Sequence, residues 1–205
     1  MSLLSAFFAF NPGLFIQGMV LLFSIFDPFG TVPIFMAVTE DIPEHRKKIV
    51  RQSILVATVI LFVFAYVGWV IFAALGITIN DFRIAGGIIL FIVAVDQLQG
   101  GSIKSKGLQP SDVAAFPLAI PLLAGPGAIS TVIIISGPPY SPFLALIVVV
   151  CNALLASAIL SSSDWMRKIL GANGTGALSR ITALLIAALA VSFVIEGVRG
   201  IATSL

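Results

Sequence analysis

The sequence predicts an all-α membrane protein in which six transmembrane helices form two inverted three-helix repeats. The first helix of each repeat is expected to be broken at Pro and Gly near the membrane midplane. Three observations lead there. The 205 residues are 59% hydrophobic and only 10% charged, with a mean hydropathy of +1.15, whereas soluble domains carry about 25% charged residues. Uncharged runs close to the roughly 20 residues that cross about 30 Å of hydrocarbon recur along the chain. Blocks of Pro and Gly interrupt two of these runs, about 97 residues apart. The runs show no period-two alternation, which argues against an outer-membrane barrel. A single transmembrane domain over residues 1–205 is expected, with repeat one at about 14–98 and repeat two at about 113–200.

Taken in order, Met1–Phe10 is apolar without a basic stretch and reads as an interfacial lead-in rather than a cleaved signal peptide. Crossings are expected at Leu14–Val38, Ser53–Leu75, Arg83–Leu98, Val113–Ser136, Pro142–Ser163 and Arg180–Gly200. The first contains "IFDPFGTVPIF", the second is uninterrupted, and the third opens with Arg83-Ile84. The second triplet repeats this order: "LLAGPGAISTVI" in the fourth crossing, an uninterrupted fifth, and a sixth opening with Arg180-Ile181. Three crossings per copy is an odd number, so the second copy must enter the membrane from the opposite side.

The basic residues agree with this threading. Arg46, Lys47, Lys48 and Arg51 follow the first crossing, Lys104 and Lys106 the third, and Arg167, Lys168 and Arg180 the fifth, leaving only Arg83 and Arg199 of the 11 on the other side. The excess of Lys and Arg marks the cytoplasmic face. A multi-pass protein of the cell membrane with both termini outside is therefore expected.

Several functions are disfavoured. One cysteine, Cys151, makes neither a disulfide framework nor a Cys-based metal site. There is no Gly-x-Ser-x-Gly elbow, and an aspartyl dyad would need two central acids where the chain offers Asp27 alone. No enzyme, cofactor or nucleic-acid partner is expected. His45 falls in the charged loop Glu40–Arg51 and reads as solvated, and Gly171-Ala-Asn-Gly-Thr-Gly176 lacks the lysine and strand of a phosphate loop and reads as a turn.

The expected site lies at the two interruptions. Breaking a helix in lipid frees N–H and C=O groups that only protein or a wet cavity can satisfy. Interrupted helices in matching positions of inverted repeats point to the site of a secondary transporter. Asp27 is the one acid near the centre of a crossing. As a lone carboxylate it costs at least about 2.5 kcal/mol there, so it should hold a proton or meet a cation: Na⁺, H⁺ or a substrate ammonium. Capping of the half-helix that follows is the alternative, and the two are compatible.

Pro28, Gly30 and Thr31 in the first half, and Gly125, Pro126, Gly127, Ala128, Ser130 and Thr131 in the second, look like starts of half-helices. Their free N–H groups and positive dipole end suit a carboxylate. A small pocket fitting a zwitterion follows. Asn152, Thr58 and Asp96 are secondary candidates. For Asn152, Thr58 and Ser157 interhelical hydrogen bonding is the commoner use, while Asp96 and Glu196 sit near crossing ends, where interfacial solvation is expected.

Four segments together resemble the MarC family of integral membrane proteins: Asp27-Pro28-x-Gly30-x-x-Pro33, Phe82-Arg83-Ile84-Ala85-Gly86-Gly87, the block from Pro117 through Pro121 to Gly125-Pro126-Gly127, and Gly176-x-x-x-x-Arg180-Ile181. The likeness spans nearly the whole chain. The family is also called the six-span neutral amino acid transporter family. The resemblance implies transport of small neutral amino acids such as glycine and alanine, driven by an ion gradient. An exporter of another small metabolite, or a channel, stands as the alternative. Gly86, Gly87 and the alanines of the sixth crossing can pack helices within one chain or in a homo-oligomer.

Overall fold

The computed structural model describes residues 11–39, 42–99 and 110–203. Met1–Phe10 and the loop bearing Lys104 and Lys106 lie outside the described residues. No strand occurs among the described residues. Helix α1 is Pro12–Phe26 and α2 is Pro28–Val38, with Asp27 between them; after a short turn at Pro43–His45 come α3 (Arg46–Leu75) and α4 (Ile79–Leu98). The second half holds the single turn α5 (Pro110–Val113), a distorted segment Ala114–Leu123, then α6 (Pro126–Ile135), α7 (Pro142–Ser161) and α8 (Ser163–Ala202).

Local sequence sets most of these ends. Asn11 caps α1, its Oδ1 accepting the Gly13 and Leu14 N–H groups at 2.9 and 3.2 Å, with Pro12 in the first turn where its missing N–H costs nothing. Ser141 caps α7 through the Leu144 N–H at 3.2 Å, again followed by Pro. Gly76, at φ 65°, closes α3 in the left-handed conformation that glycine adopts without steric penalty. Thr78 and Asp81 cap α4 reciprocally: Thr78 N–H and Oγ1 each donate to Asp81 Oδ2 at 2.8 Å, and Asp81 N–H donates back to Thr78 Oγ1 at 3.1 Å.

Four segments are long and apolar enough to cross a membrane: Pro12–Met36, Pro43–Leu75, Pro142–Ser161 and Ala183–Ala202. The pair Ser111–Leu123 and Pro126–Ile135, bent by 59°, makes a fifth if it is counted as one span. The expected third crossing lies within helix α4, of which every 18-residue window holds Asp81, Arg83 and Asp96.

Two sequence expectations give way. The charged loop Glu40–Arg51 is helical from Arg46 onward, and Arg46 is buried, its Nε donating to Thr39 Oγ1 at 2.9 Å, whereas the His45 side chain stays 44% exposed, in keeping with the solvated reading, with Nδ1 3.1 Å from Glu44 Oε1. The stretch Gly171–Gly176, expected as a turn, continues helix α8. Each internal glycine costs up to about 1 kcal/mol relative to alanine, yet extending a helix already begun on either side avoids the unfavourable nucleation step. At 40 residues α8 is about 60 Å long, twice the hydrocarbon thickness.

The more extensive helix contacts join the two halves: α4 against α8, α3 against α7, α2 against α8 and α1 against α7. In α4 and α8 small residues permit the approach. A Cβ on Gly87 would meet the Ala190 carbonyl at 2.7 Å and Val194 Cγ2 at 2.8 Å, and one on Gly197 would meet Ile84 Cγ1 at 2.6 Å. Residues 84 and 87 thus face 197 and 190 to 194, which makes the pair antiparallel. Arg83 and Arg180 consequently lie toward opposite ends of it, roughly 25 Å apart along the axis at 1.5 Å per residue. The outward face is apolar, with Trp69, Val70 and Leu154 each more than 60% exposed, a surface suited to lipid rather than water.

Candidate functional site

Both chain interruptions open onto one cavity of about 100 Å³. The first break contributes Ser24, Ile25, Phe26, Asp27, Gly30, Thr31 and Ile34, and the second contributes Pro121, Leu122, Gly125, Gly127 and Ala128. Leu90 of α4 and Ile186, Leu189 and Phe193 of α8 complete the wall.

The first break is a single residue. Asp27 takes φ 35° and ψ 63°, the one positive φ on a non-glycine residue among those described. Aspartate is one of the few side chains that visits this region. Its N–H donates to the Phe23 carbonyl at 3.0 Å, closing α1, while its own carbonyl accepts the Thr31 N–H at 3.0 Å and Thr31 Oγ1 at 2.9 Å, opening α2. Carboxylate Oδ1 accepts the Gly30 N–H at 3.0 Å. The capping role is therefore present, with Pro28 first in the new helix and lacking an N–H to satisfy. The second carboxylate oxygen, Oδ2, lies over Gly30, where any Cβ would overlap it.

The second break is longer and is made by prolines. A residue preceding proline is driven out of the helical region. Phe116 before Pro117 and Ile120 before Pro121 are accordingly extended, at φ/ψ of −134°/130° and −126°/126°. Gly125, before Pro126, is extended as well, at φ −82° and ψ 177°, and a Cβ there would overlap the Pro121 carbonyl oxygen.

Helix α6 then starts with no side-chain cap. Ile129 N–H reaches the Gly125 carbonyl at 2.9 Å. The N–H groups of Gly127 and Ala128 have no hydrogen-bond partner among the described residues, and both residues line the cavity. Such a helix start carries about half a positive elementary charge. The two breaks are chemically unlike: the first presents a carboxylate and is capped by it, and the second presents free donors.

The remaining expected residues lie beside the cavity or away from it. Pro28 is buried and opens α2; Pro126 directs its ring against Gly86 of α4. Ser130 is buried with Oγ donating to the Pro126 carbonyl at 2.7 Å, and Thr131 is buried within α6. Asn152 is fully buried in α7, its Nδ2 2.9 Å from the Val148 carbonyl and 3.3 Å from Met19 Sδ, and its Oδ1 has no partner among the described residues. Thr58 and Ser157 are half-buried, Asp96 and Glu196 exposed, and none of these lines the cavity. Sequence reasoning missed Leu90, Ile186, Leu189 and Phe193, because an apolar residue in an apolar helix carries no sign that it faces a cavity rather than lipid. No group of three or more His, Cys, Asp or Glu residues suited to a metal ion occurs among the described residues.

Comparison with known proteins agrees with the fold. The family model described as MarC family integral membrane protein matches residues 13–202. A UPF0056 membrane protein of Archaeoglobus fulgidus is 37% identical over 194 residues, 89% of this chain and 91% of that one. One from Methanocaldococcus jannaschii is 38% identical over 203 residues, 93% and 89% of the two chains. The UPF0056 inner membrane protein YhgN of Escherichia coli is 34% identical over 189 residues, 90% and 95%. No solved structure matches the chain. This chain belongs to the MarC family of integral membrane proteins.

Proposed function

We propose that the protein is a secondary transporter of small neutral amino acids of the glycine and alanine class, coupled to a Na⁺ or H⁺ gradient and performing no covalent chemistry. The observation that carries this reading is the pairing of unlike breaks across one small cavity. A zwitterion has a carboxylate for the free Gly127 and Ala128 N–H groups and an ammonium for Asp27, whose Oδ1 is already occupied by Gly30 while Oδ2 makes no bond to a described residue. Alternative ligands fit less well. A simple anion would meet the Asp27 carboxylate, and a simple cation would leave the α6 donors unpaired.

The antiparallel contact of α4 with α8, and the meeting of both interruptions at one cavity, support six crossings arranged as inverted repeats. Alternating access would follow from rocking one half against the other about the cavity. The basic residues support a cytoplasmic position for the start of α3 and of α8 in the cell membrane, with both termini outside.

The test is uptake or counterflow of labelled glycine and alanine in proteoliposomes, with and without imposed Na⁺ and proton gradients. Saturable transport that is lost in Asp27→Asn and in Gly127→Val is expected. Unitary ionic conductance in planar bilayers, or transport intact in both variants, would sink the reading.

A further inference from the structure

We propose that Phe193 of α8, together with Ile25 of α1, is the wall that limits the ligand's side chain and so sets which amino acids the cavity accepts; this rests on the transport reading above. The contact geometry around Gly127 carries it. A Cβ built on Gly127 would lie 2.6 Å from Phe193 Cζ, 3.0 Å from Phe193 Cε1 and 2.8 Å from Ile25 Cγ2. The ring edge and the isoleucine methyl therefore converge on the backbone that bears one of the two free N–H groups. A carboxylate held there has its α-carbon one bond further out, so anything attached to that carbon enters the space that Phe193 and Ile25 border. The cavity is small, about 100 Å³, and both Phe193 and Ile25 border it, so each atom added to the ligand's side chain brings it closer to that wall.

The wall is also held in place. Val194, the neighbour of Phe193, lies with its Cγ2 2.8 Å and its backbone nitrogen 3.2 Å from the Cβ position of Gly87 in α4. The Ala190 carbonyl lies 2.7 Å from the same point. Helix α8 is thus seated on α4 directly above and below Phe193. The ring can turn about its own side-chain bonds, but its Cα cannot retreat unless the two helices separate. A hydrophobic pocket discriminates one methylene by about 10–200-fold, and a ring whose backbone is held against α4 cannot make room by moving its helix.

The experiment measures competition against labelled glycine by unlabelled alanine, serine, valine and leucine, using the full chain in proteoliposomes. The chains compared are the parent, Phe193→Ala, Phe193→Leu and Ile25→Ala. The readout is the ratio of inhibition constants for leucine and alanine, which general damage, lowering all ligands alike, would not move. In the parent, alanine should compete and leucine should not. In Phe193→Ala the ratio should fall by at least about tenfold in favour of leucine, with Phe193→Leu and Ile25→Ala changing it in the same direction by less. Variants that still take up glycine with the parent's ratio overturn the wall while leaving the transport reading intact. A parent that neither takes up nor binds any of these amino acids overturns the transport reading, and the wall with it.

Discussion

The ring of Pro126 occupies the notch that Gly86 leaves in α4: a Cβ at position 86 would overlap Pro126 Cγ and approach its Cδ and Cβ at 2.8 and 2.9 Å. Pro126, the first residue of α6, is thus seated on α4, a helix of the opposite half. Proline cannot swing its ring away as a flexible side chain could, so Gly86→Ala must push α4 and α6 apart. A loss of about 1–3 kcal/mol is expected, the usual cost of overpacking a tight contact, and Gly86→Val should cost more. Thermal unfolding in detergent checks the order, which would be refuted by an unchanged midpoint in Gly86→Val.

Asp27 has two separable roles, and two substitutions divide them. Asparagine retains an oxygen to accept the Gly30 N–H, so Asp27→Asn should keep the parent's stability while removing the charge. Asp27→Ala removes the cap as well and should cost about 1 kcal/mol. Glycine binding, followed by calorimetry, should disappear in both. Binding that survives in Asp27→Asn would mean the charge does not meet the ligand.

Arg46 and Thr39 are both buried, and Thr39 Oγ1, which accepts from Arg46 Nε, donates in turn to the Phe35 carbonyl at 2.6 Å. This relay ties the end of α2 to the start of α3. Thr39→Val removes the acceptor and should destabilise the fold by about 1–3 kcal/mol, while Thr39→Ser should restore most of it. Equal melting temperatures for the valine and serine variants would contradict the relay.

The cap of α4 should respond to acid. The Thr78 N–H first, and its hydroxyl second, hold the Asp81 carboxyl below its ordinary value of 3.8. A carboxyl whose folded pKa is depressed contributes stability above the unfolded value and loses it as pH falls through the folded one. Amide exchange at Asp81 and Phe82 should therefore lose protection only below about pH 3.8, and Asp81→Asn should remove the transition. Protection that stays flat through that range in the parent would count against the cap.

Much of this architecture is legible in the chain because the features that mark it are chemical exceptions. Asp27-Pro28 and Gly125-Pro126-Gly127 stand out in apolar runs, and both interruptions do face one cavity. The second and fifth crossings, legible as uninterrupted hydrophobic stretches, are found within α3 and α7, and the apolar part of the sixth within the longer α8. Other features depend on three-dimensional neighbours that a linear reading cannot supply. Ser130 looked available but spends its hydroxyl on the Pro126 carbonyl one turn back. Phe193 carries no mark in the sequence that separates it from a lipid-facing aromatic, and only the fold sets it against Gly127. The glycines at 171–176 suggested a turn, but local propensity is a weak force inside a helix sustained from both ends.

The overlap between Asp27 Oδ2 and the vacant Cβ position of Gly30 has an evolutionary consequence. Drift at one of these positions is not independent of drift at the other. As long as aspartate keeps this conformation at 27, any other residue at 30 is excluded on steric grounds, however mild its chemistry. A lineage that exchanged Asp27 for a smaller residue would lift that exclusion at a stroke. Where the acid stays, a residue other than glycine at 30 must turn the carboxylate away from the Gly30 N–H it caps, so positions 27 and 30 should be inherited as a linked pair.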